Sequence, residues 1–347
     1  MRSLKICVIS EELCPSFDEG IKNFAKNLIR ELHRDNNALA LSIRGGKTNE
    51  RHIKRLNVNK ALLSYSLSRE IRNFNPGVVI YIPSPSATIS SFVRAKVLSL
   101  YATRAKIVII ALQPVKYSVL SRKLIPLLAP DLILVQSASA LKRLSTSGCC
   151  VKLIPSGVDL ERFCPVTKER KLALRSKYEV DPDKFAILHV GHMNRNRNIQ
   201  ILKELQEDNI QVLVVGSTST QQDGDLVHEL RIGGVRAITS YLENIEEIYQ
   251  LSDCYVFPVT SETGSIEVPL SVLEAMACNV PVITTRYGGL PTMFNNEGNG
   301  LFFVNELKDL SITVEKTKKL NHCETRKMIE SYSWGEVAKK ILDSLQK

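Results

Sequence analysis

The 347-residue sequence lacks the long apolar segments and the phosphate-binding motifs that mark several large classes of protein. No segment reaches the roughly 18 uninterrupted apolar residues of a membrane-spanning helix, and the N-terminus MRSLKICVISEEL has no apolar stretch long enough for a signal-peptide core. Neither GxxxxGKS/T nor GxGxxG occurs, which argues against a P-loop or an ordinary dinucleotide-binding protein. We therefore expect a cytoplasmic protein of neither class.

Metal-binding patterns are also absent from the sequence. Its eight cysteines are scattered without a CxxC pair or a Cys/His cluster at zinc spacing, so we interpret them as reduced thiols of the core. Two Asp-x-Asp triplets begin at Asp181 and Asp223, but neither directly follows an apolar strand, and we interpret both as turns. No metal cofactor is predicted.

The length and composition are sufficient for two folded domains. A single core stops growing at roughly 250–300 residues, and 44% of the residues are hydrophobic while only 24% are charged. These proportions can fill two cores, and they argue against a disordered or fibrous protein.

Apolar strands alternate with amphipathic helices along the first half of the chain. The apolar run at 4–10 is followed by an i, i+3, i+4 pattern from Ile21 to Leu32, and further strand-like runs occupy 77–83, 106–114 and 131–137. Near-continuous apolar strands that alternate with helices predict a parallel sheet covered on both faces.

A second series of the same kind follows a charged stretch, which we interpret as an interdomain connection and one helix. Helical patterns, the first near 198–207, separate strand-like runs at 185–192, 210–217, 235–239, 254–259 and 280–285. The sequence therefore predicts an α/β protein with two doubly wound, Rossmann-like domains that face a cleft. Because ligands of open α/β sheets bind beyond the carboxyl ends of the strands, the loops after these strands are the candidate site.

Charge is divided unevenly between the two halves, within a net charge of +10. Residues 51–150 contain fifteen Lys and Arg against two Asp and Glu, whereas residues 201–300 contain four against fourteen. A field of one sign concentrates partners of the opposite sign, so we expect the basic half to meet a phosphorylated acceptor, an acidic lipid surface or a nucleic acid. The alternative is a basic face that is merely solvated.

Two groups of charged residues follow strands of the second series. Arg195 and Arg197 come after the run at 185–192, where guanidinium groups at the start of a helix form an anion site. Glu267 and Glu274 are seven residues apart, so both can lie on one side of a helix and accept hydrogen bonds from ribose or sugar hydroxyls. On composition alone, solvated arginines and an acid-rich first turn of a helix, which also holds Glu262, are the simpler interpretation.

Several longer stretches resemble the GT-B-fold retaining glycosyltransferases of family 4, a group 1 glycosyl transferase family. LSDCYVFPVTSE and PLSVLEAMACNVPVITTRYGGLP are similar to that family's donor-site block, IPSGVDLERFCP to its interdomain signature, HVGHMNRNRNI to its phosphate-binding loop and SYSWGEVAKKIL to its closing helix. The resemblance implies an N-terminal acceptor-binding domain over 1–165 and a C-terminal nucleotide-sugar-binding domain over 166–325. It also implies a last helix, 326–347, that returns to the first domain.

The resemblance further implies roles for individual residues. Glu274 matches the glutamate that holds the donor ribose, and Arg197 matches the basic residue that neutralises the diphosphate. Gly20 matches the glycine-rich loop that comes close to the donor, where only a residue without Cβ lets the backbone approach. The segment whose backbone N–H groups contact sugar and phosphate corresponds to Gly264, Ser265 and Ile266.

Three positions depart from the family pattern. The family has a second glutamate eight residues before the one at 274, where this chain has Ile266, and we expect Glu267 to take the sugar-orienting role through a shifted loop. His192 stands where an arginine commonly follows VG, and Arg195 can compensate for the missing cation. Gln113 stands where many members carry a histidine; it can bond sugar hydroxyls but cannot accept a proton near neutral pH.

The sequence thus predicts a hexosyltransferase that acts, with retention and without a metal, on a nucleotide-diphosphate sugar and an anionic polysaccharide or lipid-linked acceptor. The predicted catalytic residues are Glu267 and Arg197, and Gln113 lies on the acceptor side. Donor binding is assigned to Gly20, His192, Arg195, Arg197, Gly264, Ser265, Ile266, Glu267 and Glu274.

A peripheral contact with the inner face of an acidic membrane is also expected. It would use either the helix with Arg94, Lys96, Arg104 and Lys106 or the stretch YSVLSRKLIPLLA. The alternatives are a GT-B epimerase or phosphorylase, and a noncatalytic sugar-nucleotide-binding protein that has lost its chemistry through the changes at Ile266, His192 and Gln113. Nucleic-acid binding ranks last, because no recognised module accompanies the charge, and no nucleic-acid partner is predicted.

Overall fold

The computed structural model describes residues 4–35, 37–44, 52–219, 221–295 and 297–346. The chain divides into two compact units, which are described separately below. The first consists of Met1–Ser156, Ile266–Val268 and Val337–Lys347, and the second of Gly157–Ser265 and Pro269–Glu336.

The first unit is built on a parallel sheet. Its strands are β1 (Lys5–Glu12), β2 (Asn37–Arg44), β3 (Ile53–Arg55), β4 (Val78–Ile82), β5 (Lys106–Ala111), β6 (Leu132–Val135) and β7 (Val151–Leu153). They are ordered β3-β2-β1-β4-β5-β6-β7, and neighbours pair in parallel. Every residue of β4 and β6 is buried, as expected for central strands of a sheet covered on both faces.

Helices connect the strands of the first unit and supply its core. They are α1 (Gly20–Asp35), α2 (Tyr65–Phe74), α3 (Ile89–Tyr101), α4 (Val119–Leu128) and α5 (Ala138–Ser145). Phe24, Leu28 and Leu32 of α1 are fully buried, which confirms the face predicted from their spacing. A hydroxyl accepts a hydrogen bond from the first turn of each of the four later helices; the N-cap residues are Ser64, Thr88, Ser118 and Ser137.

The second unit has a parallel sheet of its own. Its strands are β8 (Phe185–Gly191), β9 (Ile210–Gly216), β10 (Arg236–Ile238), β11 (Cys254–Phe257), β12 (Val282–Thr285) and β13 (Leu301–Val304), in the order β10-β9-β8-β11-β12-β13. Because β8, β11 and β12 are parallel neighbours, the loops that follow them emerge at the same edge of the sheet. Two Rossmann-like α/β domains are thus confirmed.

The helices of the second unit are α6 (Lys168–Lys177), α7 (Gly224–Ile232), α8 (Ile245–Leu251), α9 (Leu270–Ala277), α10 (Leu290–Met293) and α11 (Leu310–Lys318). Arg175 ties α6 to this unit. Its guanidinium is buried, pairs with Asp253, and donates to the carbonyl oxygens of Pro182 at 2.9 Å and Leu251 at 3.1 Å. The charged stretch after 165 is therefore packed against the second unit along α6.

The helix expected near 198–207 differs from the prediction. Arg195–Arg197 forms one 3₁₀ turn and Ile199–Leu205 a 3₁₀ helix, with Asn198 between them at a φ of 57°. The left-handed residue interrupts the helical path, and its Nδ2 donates to Pro258 O at 3.0 Å and to Thr260 Oγ1 at 2.7 Å. The helix predicted near 198–207 is thus present as a 3₁₀ helix, and the two arginines lie in a separate 3₁₀ turn before it.

The chain ends in α12 (Trp334–Gln346), whose residues from Val337 onward are assigned to the first unit. There Lys106 Nζ donates to Leu345 O at 3.0 Å and Lys152 Nζ to Ser344 O at 2.7 Å, so two cations bind the last carbonyl groups of the helix.

Two further expectations concern the surface of the chain. Cys150 is exposed, so the prediction that the cysteines are core thiols was wrong at this position. Among the described residues, none of the helices combines the length and apolar character that crossing a membrane requires.

Candidate active site

Arg197 is fixed at the carboxyl end of the second unit's sheet. The side chain is only 5% exposed, and its Nε donates to Gly264 O at 2.7 Å, which joins the loop after β8 to the loop after β11. Gly191, the last residue of β8, makes room for it, because a Cβ at that position would overlap Nη1. A buried guanidinium is thereby held at the edge of the sheet where α/β proteins bind ligands.

His189 lies behind this arginine in β8 and is fully buried. Burial, and after it the charge of Arg197, lower the pKa of His189 to about 3, so the imidazole is neutral at physiological pH. Its Nδ1 lies 2.9 Å from Val256 O, which requires the proton on Nδ1 and leaves Nε2 as an acceptor. His189 is therefore a core residue of the second unit.

The loop after β11 is braced by Tyr287, which follows β12. Ser265 N–H donates to the Tyr287 hydroxyl at 2.9 Å, and the same oxygen lies 2.7 Å from Ser265 O and 3.1 Å from Glu262 O. Gly264 N–H donates to Ser261 O at 2.9 Å. Two of the three N–H groups assigned to sugar and phosphate, those of Gly264 and Ser265, thus have partners within the second unit, and the role of the segment in donor binding stays a prediction.

Tyr287 was missed in the sequence, although it stands inside the RYGGLP motif. Its position could have indicated its role, because it follows closely on the predicted strand at 280–285. Residues at such positions reach the loop that follows the neighbouring strand.

Arg195 and His192 lie on the same loop as Arg197 but are placed differently. Arg195 is half-exposed, and its Nη2 lies 2.8 Å from Glu229 Oε2 of α7. His192 is partly buried, and its carbonyl oxygen accepts from Asn194 N–H at 3.1 Å. The structure therefore places Arg195 against an acidic helix, and its compensating role stays a prediction.

Glu274 lies on α9, with a tyrosine hydroxyl as its partner. Tyr249 Oη donates to Glu274 Oε2 at 2.8 Å. Although the residue keeps part of its surface accessible, the protein surrounding the carboxyl group raises its pKa to about 7, while the bond from Tyr249 and the charge of Arg162 act in the opposite direction. The group consequently titrates near neutral pH.

In the first unit, Gly20 and Ile266 are in close proximity. Gly20 begins α1, and a Cβ on it would lie 3.1 Å from Ile266 Cδ1. Ile266 is buried. The isoleucine that replaces the family's glutamate at 266 therefore makes an apolar contact with Gly20. The role in donor binding predicted for both residues stays a prediction.

Glu267 is anchored in the first unit by backbone and side chain. Its N–H donates to Leu112 O at 2.7 Å, and its Oε1 accepts a hydrogen bond from Ser137 Oγ at 2.5 Å. The side chain is 2% exposed. Gln136 reinforces the segment, because its Oε1 accepts from Val268 N–H at 3.3 Å. The predicted sugar-orienting role of Glu267 stays a prediction beside this anchoring role.

Gln113 follows the residue to which Glu267 is bonded. Its backbone carbonyl accepts from Ser86 Oγ at 2.5 Å, and its N–H lies 3.2 Å from the same oxygen. Its side chain lines a small cavity together with Tyr117 and Arg143. The structure thus brings Gln113 and Glu267 to one side of the first unit.

The Asp-x-Asp triplets have local structural roles. Asp181 Oδ1 accepts from Asp183 N–H at 3.0 Å, and Asp223 caps α7 by accepting from Leu226 N–H at 3.1 Å. Over the described ranges, groups of three or more His, Cys, Asp or Glu arranged to hold a metal ion are absent.

Comparison with known structures identifies the class. The crystal structure of Anabaena Alr3699/HepE in complex with UDP aligns with a TM-score of 0.78 over 99% of this chain and 100% of that one, at 16% identity. The same protein with UDP-glucose aligns at 0.76 and 17% identity, over 99% of each chain. The fold is the two-domain GT-B fold of glycosyltransferases.

The sequence matches a family model in its second half. Residues 171–335 match the model of the glycosyl transferases group 1 family. The Arabidopsis thaliana sulfoquinovosyl transferase SQD2 is 30% identical over 232 residues, 61% of this chain and 44% of that protein. The D-inositol 3-phosphate glycosyltransferase of Paenarthrobacter aurescens (strain TC1) is 26% identical over 215 residues, 56% and 51% of the two chains. The matches thus span about half the length of these curated relatives.

Proposed function

We propose that this protein is a glycosyltransferase that moves a hexose from a nucleotide-diphosphate sugar to an anionic acceptor. The observation that carries the proposal is the buried guanidinium of Arg197, held at the carboxyl end of β8 by Gly264 O inside the segment that matches the group 1 family model. A fixed cation at this edge stabilises the charge that grows on a departing diphosphate. Glu274, on α9, accepts hydrogen bonds from the ribose.

The named relatives support a nucleotide-sugar donor. Anabaena Alr3699/HepE has been solved with UDP and with UDP-glucose, and two relatives are named for sulfoquinovosyl transfer and for D-inositol 3-phosphate. The basic half of this chain adds the preference for an anionic acceptor, because fifteen Lys and Arg face only two acids in 51–150.

The proposed transfer proceeds with retention, as the resemblance to family 4 implies. The bond between the anomeric carbon and the diphosphate oxygen breaks, and the acceptor oxygen forms a bond to the same face of that carbon. The acceptor's proton passes to the departing phosphate, so a glutamine at 113 is compatible with turnover. Glu267 orients the sugar and Arg197 stabilises the leaving group; no metal is included.

A contact with the inner face of an acidic membrane is part of the proposal, and α4 is favoured over the predicted basic helix as its element. Arg94 of α3 is 11% exposed and pairs with Glu11 Oε1 at 2.5 Å, and Lys106, which lies on β5, binds Leu345 O. Both side chains are engaged within the first unit, which leaves them less available to lipid headgroups. We therefore take the stretch over α4 as the membrane element.

The donor is tested by thermal unfolding in the presence of UDP, GDP and ADP sugars, because a ligand that binds only the folded state raises the midpoint. We expect one nucleotide class to raise it, and we expect Glu274→Ala and Arg197→Ala to abolish the response. Arg231→Ala removes an exposed arginine of the same unit, which lies on α7 and donates from Nη2 to Ala237 O at 3.3 Å, and is the matched control. An unchanged response in Arg197→Ala contradicts the site.

A second candidate, a noncatalytic sugar-nucleotide-binding protein, is favoured by one observation. The carboxylate predicted to orient the sugar, Glu267, is buried against Ser137. Release of free nucleotide from the donor identified above distinguishes the two candidates, since a binder stabilises without release and a transferase releases nucleotide in proportion to the acceptor supplied.

A further inference from the structure

The first unit contains a long, almost purely cationic segment. Between residues 71 and 158 stand eleven Lys and Arg and a single acidic residue, Asp131. Asp131 is engaged elsewhere, because its Oδ2 accepts a hydrogen bond from Ile107 N–H at 2.7 Å. The segment therefore carries a large excess of positive charge.

Some of these cations converge on a cavity of about 420 Å³. Arg122 reaches it from α4 and Arg143 from α5, and its full lining is Lys116, Tyr117, Arg122, Arg143 and Thr146. Tyr117 is fixed as part of the wall, since its hydroxyl donates to Ala87 O at 2.5 Å. Three cations, without an acidic side chain among the described residues that line the cavity, match the charge and the hydrogen-bond acceptors of a phosphate group.

The cavity is next to the acceptor-side residue predicted from the sequence. The small cavity that Gln113 lines is also lined by Tyr117 and Arg143, so the two cavities have a common wall. A phosphate held by Arg143 would keep the molecule that carries it beside Gln113.

The helix that supplies Arg122 to the cavity also exposes apolar side chains. Val119, Leu120 and Leu127 of α4 are 74%, 69% and 72% exposed, whereas Ile125 on the same helix is fully buried. Exposed aliphatic side chains on a helix that also carries Arg122 and Lys123 have the composition of an interfacial helix, in which apolar groups enter the lipid boundary and cations meet anionic headgroups. The charge of the cavity and the exposed apolar side chains of α4 together favour a lipid as the source of the phosphate.

We infer that the cavity lined by Lys116, Arg122 and Arg143 binds the phosphate group of a lipid-borne acceptor, with α4 lying in the lipid surface. The inference rests on the proposed glycosyltransferase function, for which it specifies the acceptor class. It assigns phosphate recognition to three side chains and membrane contact to the leucines of one helix.

Co-sedimentation of the full chain with vesicles tests the inference. Phosphatidylcholine vesicles containing phosphatidic acid are compared with vesicles brought to the same surface charge by oleic acid, which supplies carboxylates. We expect tighter binding to phosphatidic acid, and we expect Arg122→Gln combined with Arg143→Gln to weaken it about tenfold, because charge-assisted hydrogen bonds are lost. Equal binding of the unmodified protein to both vesicle types overturns the inference.

The matched control removes the same charge from the first unit away from α4. Lys60 and Lys142 are exposed lysines that do not line the cavity, so Lys60→Gln combined with Lys142→Gln should retain most of the affinity. An equal loss in both double variants would show a diffuse field and overturn the site. Glycerol phosphate is the soluble probe, and an affinity for it equal to that for phosphatidic acid vesicles contradicts the lipid source. Vesicle binding that is undiminished in the Leu120→Ser, Leu127→Ser variant contradicts it as well.

The donor response separates this inference from the proposed function. The Arg122→Gln, Arg143→Gln variant is expected to keep its midpoint shift with the nucleotide sugar, because neither residue lies in the second unit. A protein that binds phosphatidic acid through these residues but responds to no nucleotide contradicts the proposed function and leaves the phosphate site standing. The reverse result contradicts the phosphate site alone.

Discussion

Arg197 occupies the space that a side chain on Gly191 would need: a Cβ at residue 191 would overlap its Nη1 and lie 3.0 Å from its Cζ. The conformation at the end of β8 and the position of the Arg197 guanidinium therefore depend on each other. Five residues stand between Gly191 and Arg197 in the chain, and the 3₁₀ turn that contains Arg197 returns the guanidinium over the strand that precedes it.

Gly191→Ala should displace Arg197 and reduce nucleotide affinity about tenfold or more, the effect of losing a charged hydrogen-bond donor. Thermal unfolding with and without the nucleotide measures it, and the ligand-induced shift, rather than the midpoint itself, is the readout. Gly224→Ala is the control, since a Cβ there would meet nothing within 4 Å. Equal shifts in both variants would contradict the link between Gly191 and Arg197.

The buried imidazole of His189 should make stability fall in acid. Burial lowers its pKa to about 3, whereas an unfolded chain binds the proton near pH 6.5. Its contribution is thus complete above pH 6.5 and is lost as the pH falls towards 3. His189→Phe keeps a ring against Tyr255 and Phe257 and removes this titration. The free energy of unfolding of the variant, measured relative to that of the unmodified protein, should therefore be about 2 kcal/mol higher at pH 5 than at pH 7.

Chemical unfolding of both proteins at a series of pH values checks this expectation. His228→Phe removes a histidine that lies in solvent on α7 and serves as the control for the substitution. If the difference between His189→Phe and the unmodified protein is the same at pH 5 and pH 7, then His189 is not neutral in the folded protein.

Much of the fold could be predicted because a strand that is buried on both faces of a sheet appears in the sequence as a continuous apolar run. β4 and β6 are unbroken apolar runs, and each is a strand in which every residue is buried. β2, with the sequence NALALSIR, and the three-residue strands β3 and β7 were missed, since small and polar residues or short length hide the pattern. The helix near 198–207 was predicted without its type, and its buried residues Ile199, Leu202 and Leu205 follow the three-residue period of a 3₁₀ helix.

The site was less predictable because its contacts link residues that are distant in the chain. Arg197 could be named from its position after a strand, but its bond to Gly264 joins two loops 67 residues apart. Ser137 and Glu267 are 130 residues apart, and neither sequence neighbourhood indicates the other. Local patterns report burial and turns; they contain no information about such pairs.

Glu274 should make the second unit less stable as the pH rises through neutrality. Its pKa in the folded protein is raised to about 7, chiefly by burial, so the neutral form is favoured there. The favourable contribution is complete below about pH 4.5 and is lost as the pH rises to 7. Glu274→Gln mimics the neutral form, and its unfolding free energy relative to the unmodified protein should increase by about 1–3 kcal/mol between pH 5 and pH 8. Unfolding curves at both pH values measure this increase, and a constant difference would contradict it.

Ser137 should contribute more to the free energy of unfolding than an ordinary helix cap does. Its hydroxyl accepts from Ala140 N–H at 3.1 Å, which caps α5, and donates to the buried Oε1 of Glu267. Ser137→Ala removes both bonds and should destabilise the first unit by about 2–4 kcal/mol, against about 1 kcal/mol for Ser64→Ala, a cap on α2. Chemical unfolding measures both variants, and equal losses would show that the bond to Glu267 contributes nothing.

Glu267→Gln then separates anchoring from chemistry. A glutamine Oε1 still accepts from Ser137, so we expect a loss of stability smaller than that of Ser137→Ala. If Glu267 also orients the donor sugar, nucleotide release should fall about tenfold or more in this variant while nucleotide binding is retained, because the charge is lost and the geometry kept. Unchanged release would restrict Glu267 to the anchoring role that its burial and its bond to Ser137 display, and the sugar would then be oriented by another group.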